Sequence, residues 1–332
     1  MAFPYFSVVI DNYNYGRYLA QAIDSVLAQD FPAKEIEIIA VDDGSTDDSR
    51  EVLARYRGRV KAMLQENRGQ AGAFATGFAA ATGQAVCLLD SDDYWAPSKL
   101  AEVAKALEDK SAGIIQHLQR EVDAQGRPLE HRMPPWPEKY TLRDSSEGLI
   151  EYAATSSLCF RKAVLEGALP VPKDIFYLYD NYLIDHGLFH GDIANIPRVL
   201  GFHRLHGANN WARAFSNPDK LEGNIRELQA FRRYLEPKLR ERGLEFSGDF
   251  TALQDMEIRK RRILIAMHRG RRGEAFSEWR RLMAEHGATA FGAFRAATCL
   301  SALISPSLYI GLYNLYSRKG LFGDIRRRLM PL

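Results

Sequence analysis

The sequence predicts an α/β fold, a mainly parallel, twisted sheet with helices on its faces, followed by an all-helical C-terminal region. Three observations carry this reading. Short apolar runs alternate with helical stripes through the first 120 residues. Acidic residues gather directly after three of those runs, where a parallel sheet would bring strand ends together. Beyond Pro218 the pattern is helical only.

Ser7–Ile10, Ile36–Val41, Val60–Leu64, Ala85–Leu89 and Gly113–Ile115 are apolar and bounded by polar turns, as buried strands are. Between them Leu19, Ile23, Val26 and Leu27 form one helical stripe, and Leu100, Val103, Ala104 and Leu107 form another. Parallel neighbours need crossover connections, so this alternation implies parallel strands with a ligand cleft at their carboxyl ends. From about Arg120 to Gly148 the chain turns polar and Pro-rich, including Met133-Pro-Pro-Trp-Pro137, and reads as a long lid or acceptor loop. Regularity returns near Ala153–Phe160 and Asp180–Phe189. Helices then run to about Tyr316, with breaks expected at Pro237, Gly248, Gly270 and Gly287. The expected domains are 1–217 and 218–332.

The chain has 332 residues, 46% hydrophobic and 26% charged, which excludes a disordered, collagenous or disulfide-stapled protein. Its three cysteines are far apart and form no CxxC pair, which suits a reducing compartment. The N-terminus lacks a basic leader, and its apolar run is too short for a signal peptide, so a cytoplasmic location is expected. Charge is uneven: residues 221–332 carry 21 basic against 12 acidic side chains, and the first 220 carry 23 against 30. No nucleic-acid motif accompanies the bases. Residues 296–316 carry no charge, and Tyr309, Tyr313 and Tyr316 recur at helical spacing beside Arg318, Lys319 and Arg326–Arg328. The stretch is long enough to span a bilayer on length alone, but its polar content and flanking bases better suit an interfacial helix on the anionic inner face of a membrane, or a helix docked on the core.

The strongest chemical signal is Leu88-Leu89-Asp90-Ser91-Asp92-Asp93. Carboxylates this dense repel one another unless a cation sits among them, and hard oxygen donors suit Mg²⁺ or Mn²⁺. An acidic turn ahead of the helix near Pro97 accounts for the cluster equally well. In Val41-Asp42-Asp43-Gly44-Ser45-Thr46-Asp47-Asp48, capping explains Ser45 to Asp48. Asp42 and Asp43 remain, and a carboxylate there could accept the imide N–H of a uracil-like base. Tyr13, after the first strand, could stack on a base or be an ordinary surface tyrosine.

Taken in order, Ser-Val-Val-Ile-Asp-Asn-Tyr-Asn (7–14), Ala-Ile-Asp-Ser-Val-Leu-Ala-Gln (22–29), Val-Asp-Asp-Gly-Ser-Thr-Asp (41–47), Glu-Asn-Arg-Gly (66–69) and Asp-Ser-Asp-Asp (90–93) resemble family 2 glycosyltransferases over roughly residues 5–210. The resemblance implies a GT-A fold with a Rossmann-like sheet, a nucleotide-sugar donor with UDP foremost, Mg²⁺ or Mn²⁺, and inversion at the anomeric carbon. It assigns Asp11, Tyr13, Asp42, Asp43, Arg68 and Ser91 to the nucleotide, and Asp90 and Asp92 to the DxD motif. Asp180 takes the general-base position, with Tyr179 where the family has glutamate. His206, in Phe202-His-Arg-Leu-His206, takes the position of a histidine approaching metal or diphosphate, while His203 is expected to face outward. The family often has Pro-Thr where this chain has Asp11-Asn12. Trp136, Tyr177, Tyr179 and Trp211 fall beside the acceptor segments.

The Gln-x-x-Arg-Trp motif and long spanning helices of processive synthases of this family are missing from the sequence, so a non-processive enzyme is expected, acting on a saccharide or lipid-linked acceptor. Two alternatives stand beside it: a nucleotide-sugar binding protein without turnover, and a nucleotidyltransferase, which would usually carry a Gly-rich phosphate loop after the first strand.

Overall fold

A computed structural model describes residues 5–130, 136–176, 178–207 and 214–318, so Tyr177, Trp211 and Arg326–Arg328 lie outside the described residues. The chain runs β1 (Phe6–Asn12), α1 (Gly16–Leu27), β2 (Ile36–Asp42), α2 (Ser49–Ala54), β3 (Lys61–Leu64), α3 (Gly69–Ala80), β4 (Ala85–Asp90), β5 (Tyr94–Trp95), α4 (Lys99–Ala106) and β6 (Ala112–Asp123). It continues with β7 (Lys139–Tyr140), α5 (Leu142–Glu147), β8 (Cys159–Arg161), α6 (Lys162–Ala168), α7 (Tyr179–Gly187) and β9 (Asp192–Leu205). Five helices follow: α8 (Pro218–Glu241), α9 (Gly248–His268), α10 (Arg272–His286), α11 (Ala290–Ile304) and α12 (Pro306–Arg318). Contacts divide the chain into two compact units. One holds Met1–Leu129, Trp136–Ser145 and Ile150–Arg204; the other holds Glu130–Pro135, Ser146–Leu149 and Leu205–Leu332.

In the first unit the sheet order is β3-β2-β1-β4-β8-β6-β9-β5, with β7 paired to β9. β3, β2, β1 and β4 are parallel, while β8 opposes both β4 and β6. Alternation along the strands divides the core between two faces. Val8 and Ile10 pack with Leu19, Ile23 and Val26 of α1, and Val9, Ile39 and Val41 pack with Phe74 and Phe78 of α3. Each such side chain contributes about 1.5–3 kcal/mol through burial. Helix α3 approaches the sheet closely because Gly77 lies over Val9, where a Cβ would come within 2.2 Å of Cγ1.

All five expected strands are present, but β6 is much longer than Gly113–Ile115 and runs into the stretch expected to be loop. Its extension is polar yet supported: Gln116 Nε2 donates to Asn195 Oδ1 at 2.8 Å and to the Glu151 carbonyl at 3.2 Å. Asp123 then turns the chain by accepting from the Gln125 and Arg127 amides, both at 2.9 Å. β7 and α5 also lie within the expected loop.

The helical unit buries Leu221, Ile263, Leu264, Leu282, Phe291, Cys299 and Tyr309 in its own core. Pro237 does not break α8, which continues to Glu241; one turn from the end, few further backbone bonds depend on it. The uncharged stretch 296–316 is two helices, because Pro306 forces Ser305 into extended backbone between α11 and α12. Tyr309 and Tyr313 do not face outward as an interfacial belt would. They pack on Phe215, with Tyr313 at 4.9 Å and Tyr309 at 6.4 Å between ring centroids. Among the described residues, no helix is long and apolar enough to cross a membrane.

Candidate active site

The parallel strands end along one edge of the sheet, and their first residues beyond the apolar runs are acidic: Asp11 on β1, Asp42 on β2 and Asp90 on β4. Asp42 is fully buried, and the chain itself occupies it. Its carboxylate accepts from Asn12 Nδ2 at 3.0 Å, the Ser45 amide at 3.3 Å and Arg50 Nε at 3.4 Å. Asn12, where the family often has threonine, therefore fastens β1 to the β2 turn, and it also donates to Ser45 Oγ at 3.2 Å. Asp43 is held differently: Oδ1 accepts from Gln65 Nε2 at 2.6 Å and from the Arg68 amide at 2.8 Å. Those bonds draw the Glu66–Gly69 segment against the β2 turn. Gly44, at φ +80°, makes that turn possible and leaves room for the Asn67 backbone. Tyr13 is 46% exposed, free to present its ring to a ligand. The Arg68 side chain is exposed at the start of α3.

Asp11 and Asp90 are opposite one another in the β1–β4 register. Each buried carboxyl feels the other, which adds to the cost of charging both. Burial, reinforced by the charges of Asp92 and Asp43, pushes Asp11 up to about 8. Burial and the neighbouring Asp11, Asp93 and Asp92 hold Asp90 well above the ordinary carboxylate range. Asp90 Oδ1 also accepts from Gln70 Nε2 at 2.9 Å. Ser91 is buried with its hydroxyl unpartnered, as is Asp11 Oδ1. Asp92 is nearly buried. Burial raises Asp93 to about 6, partly opposed by His203.

The acidic turn is clamped by Arg204, at 2% exposure one of the most buried cations of the unit. Its guanidinium donates to the carbonyls of Asp92 (2.8 Å) and Ala124 (3.1 Å) and to Gln21 Oε1 (2.6 Å). Its amide donates to Asp93 Oδ1 at 2.8 Å, and the guanidinium lies 4.5 Å from the Tyr18 ring centroid. Tyr15 is a second neighbour of the cluster; burial, then the charges of Asp92, Asp90 and Asp11, push its phenol up. Neither residue stands out in the sequence. An arginine on a strand and a tyrosine in a turn belong to no spacing pattern, and the partners of Arg204 are up to 183 positions away.

Asp180 lies in the first turn of α7. Oδ1 accepts from the Asn181 amide at 2.8 Å and Oδ2 from Thr155 Oγ1 at 3.2 Å. Burial raises its pKa. The neighbouring Ser156 accepts the Asp90 amide on Oγ at 3.0 Å, so the single turn Thr155–Ser157 touches both the acidic turn and Asp180. Tyr179 is a core residue, its ring stacked on Phe74 and Phe78 at 6.0 and 6.4 Å. The first unit thus carries Asp11, Asp42, Asp43, Asp90, Ser91 and Asp92 at the strand ends, with Asp180 tied to Asp90 through the Thr155–Ser157 turn. His206 follows β9 and belongs to the helical unit.

Among the described residues, no group of three or more His, Cys, Asp or Glu side chains is arranged to hold a metal ion by itself. The rim instead offers Asp90 and Asp92 beside an unpartnered carboxyl oxygen of Asp11. Buried negative charge in excess, on oxygen donors alone, fits Mg²⁺ or Mn²⁺ that completes its shell with water and substrate phosphates.

Known proteins show the same architecture. The profile of glycosyl transferase family 2 matches residues 7–167. An uncharacterized glycosyltransferase of Nostoc sp. is 36% identical over 228 residues, 65% of this chain and 69% of that protein. The poly(ribitol-phosphate) beta-N-acetylglucosaminyltransferase TarS of Staphylococcus aureus is 29% identical over 165 residues, so the match spans 28% of TarS. The structure of TarS residues 1–349 in complex with UDP-GlcNAc aligns at TM-score 0.54 and 17% identity, covering 91% of this chain and 81% of that one. A mannosyltransferase from Pyrobaculum calidifontis in complex with GDP-Man and Mn²⁺ aligns at TM-score 0.54 and 17% identity, covering 96% and 88%. With the sheet of these GT-A proteins, acidic residues at its strand ends and a relative of this identity along most of its length, the chain belongs to glycosyl transferase family 2.

Proposed function

We propose that this glycosyltransferase is metal-dependent, inverting and non-processive, and moves a sugar from UDP to a hydroxyl of a saccharide or lipid-linked acceptor in cell-surface polysaccharide or glycolipid synthesis. The observation that carries the reading is the Thr155–Ser157 turn. Through Ser156 Oγ it holds the Asp90 amide and through Thr155 Oγ1 the Asp180 carboxylate, so the donor end and a base share one support. Relatives captured with UDP-GlcNAc, and with GDP-Man and Mn²⁺, support a nucleotide-sugar donor.

Substitution at a sugar C1 needs charge on the leaving diphosphate to be neutralised while the acceptor hydroxyl loses its proton. Asp90 and Asp92 would hold a divalent cation, whose chemistry when bound is Lewis-acid stabilisation of the departing phosphate oxygens. Asp43, oriented by Gln65 and the Arg68 amide, accepts from the base, and Tyr13 stacks on it. Asp180 removes the acceptor proton as the hydroxyl attacks opposite the leaving group. Thr155 and the Asn181 amide fix its two oxygens, and its raised pKa makes it a stronger base than a surface carboxylate. One base and one in-line displacement give inversion without a covalent intermediate. Tyr179 fills a core position, so its replacement of glutamate leaves Asp180 in place.

Nucleotide release from UDP-, GDP- and dTDP-sugars with Mn²⁺ tests the proposal. Asp180→Asn should keep nucleotide affinity while turnover falls by about 10²–10⁴. Turnover equal to wild type would remove Asp180 from the reaction.

A further inference from the structure

We propose that the outer face of α11 and α12 is a docking surface for an anionic lipid bilayer. The inner face of this helix pair packs through Phe291, Ala296, Cys299, Ala302 and Tyr309. The opposite face carries Leu300 (44% exposed), Ile304 (71%), Leu308 (44%) and Leu312 (37%). Leu300 and Ile304 lie one turn apart on α11, and Leu308 and Leu312 lie one turn apart on α12, so each helix presents an exposed aliphatic pair. Its exposed neighbours Ala293, Ala297, Ser307 and Gly311 are uncharged. Elsewhere a protein surface intersperses charges with such residues; a patch without them marks a contact site.

Charge selects the occupant. Arg318 ends α12, and residues 318–332 include five basic side chains against one acidic, Asp324. Aliphatic side chains at the acyl boundary with bases at the headgroups is how an interfacial helix binds a negatively charged leaflet. A second copy of the chain is the poorer occupant, because residues 221–332 carry 21 basic against 12 acidic side chains and an isologous pairing would set two such net-positive regions against each other. Leu300, Ile304, Leu308 and Leu312 are no part of the carboxylate rim, so this surface can bind lipid whether or not the rim transfers sugar.

Flotation with vesicles tests it. The wild-type chain should float with phosphatidylcholine vesicles containing phosphatidylglycerol and stay in solution with phosphatidylcholine alone. Ile304→Glu combined with Leu308→Glu, both exposed positions, should lower partitioning by about tenfold or more while the thermal midpoint is kept. A wild-type chain that stays in solution with the anionic vesicles at low salt overturns the proposal, as does a double variant that floats like wild type. Light scattering that shows a wild-type dimer and a monomeric double variant overturns it in favour of a copy-to-copy interface.

Discussion

Adjacent carboxylates in this protein do different work, and the difference lies in what touches them. Asp42 is consumed by three donors of its own chain, while Asp43 is held on one oxygen by Gln65 and the Arg68 amide. Spacing alone makes the two equivalent; only the fold separates a carboxylate that braces the turn from one at the rim. Asp92 is the sharpest test at this scale. Asp92→Ala should weaken Mn²⁺-dependent donor binding and leave metal-free nucleotide binding near its wild-type value. Calorimetry with equal affinity in Mn²⁺ for both proteins would reject the metal role. Arg204 belongs beside it as a residue that sequence reading missed. Removing its side chain strands the Asp92 and Ala124 carbonyls, so Arg204→Ala should cost about 3 kcal/mol or more of stability. Urea denaturation that places the variant within about 0.5 kcal/mol of wild type would show that the clamp is dispensable.

Between residues and whole units, the element that matters most is α7, because two of its carboxylates hold α5 and the stretch that leads from it to β8. Asp180 binds Thr155, and Asp185, fully buried one and a half turns later, accepts from the Ser145 hydroxyl and from Tyr152 at 2.7 Å. Burial pushes Asp185 up to about 6. A carboxyl raised from about 3.9 in the unfolded chain binds its proton more tightly when folded. Its contribution to stability is therefore full below about pH 4 and is lost as pH rises through 6, at up to ~1.4 kcal/mol per unit. Asp185→Asn should flatten the pH dependence of unfolding free energy between pH 4 and 6 by one proton. An identical slope in the variant would contradict the assignment. β1, β2 and β4 were legible because their cores are continuous apolar runs, whereas β3, expected to be buried, is a largely exposed edge strand. β6 beyond Ile115 was not legible, since Gln116 and His117 are buried by partners such as Asn195 and by the strand itself, which hydropathy does not register. α7 showed its regularity but not its second carboxylate, whose partners are 33 and 40 residues away.

At the scale of the molecule, the sequence separates an acidic first part from a basic last part, and the structure gives each its own core. The acidic part ends its central strands in carboxylates that repel one another unless protons or a cation intervene. The basic part ends in an exposed aliphatic face. Tyr309 and Tyr313, two of the tyrosines that suggested a membrane belt, turned inward, because Phe215 offers them a core. Aromatic spacing reveals a helix but not which side it buries. Donor chemistry and membrane contact are thus assigned to different parts of the chain and fail or succeed independently.

The central claim is that the carboxylates at the ends of β1 and β4 gather one divalent cation beside a nucleotide. Anomalous scattering at the manganese edge, from crystals soaked with UDP and Mn²⁺, tests it most directly. The account predicts a single strong peak between Asp90, Asp92 and the diphosphate, with the uracil near Asp43. Nucleotide bound elsewhere, or bound at this rim with no manganese peak beside Asp92, would contradict it.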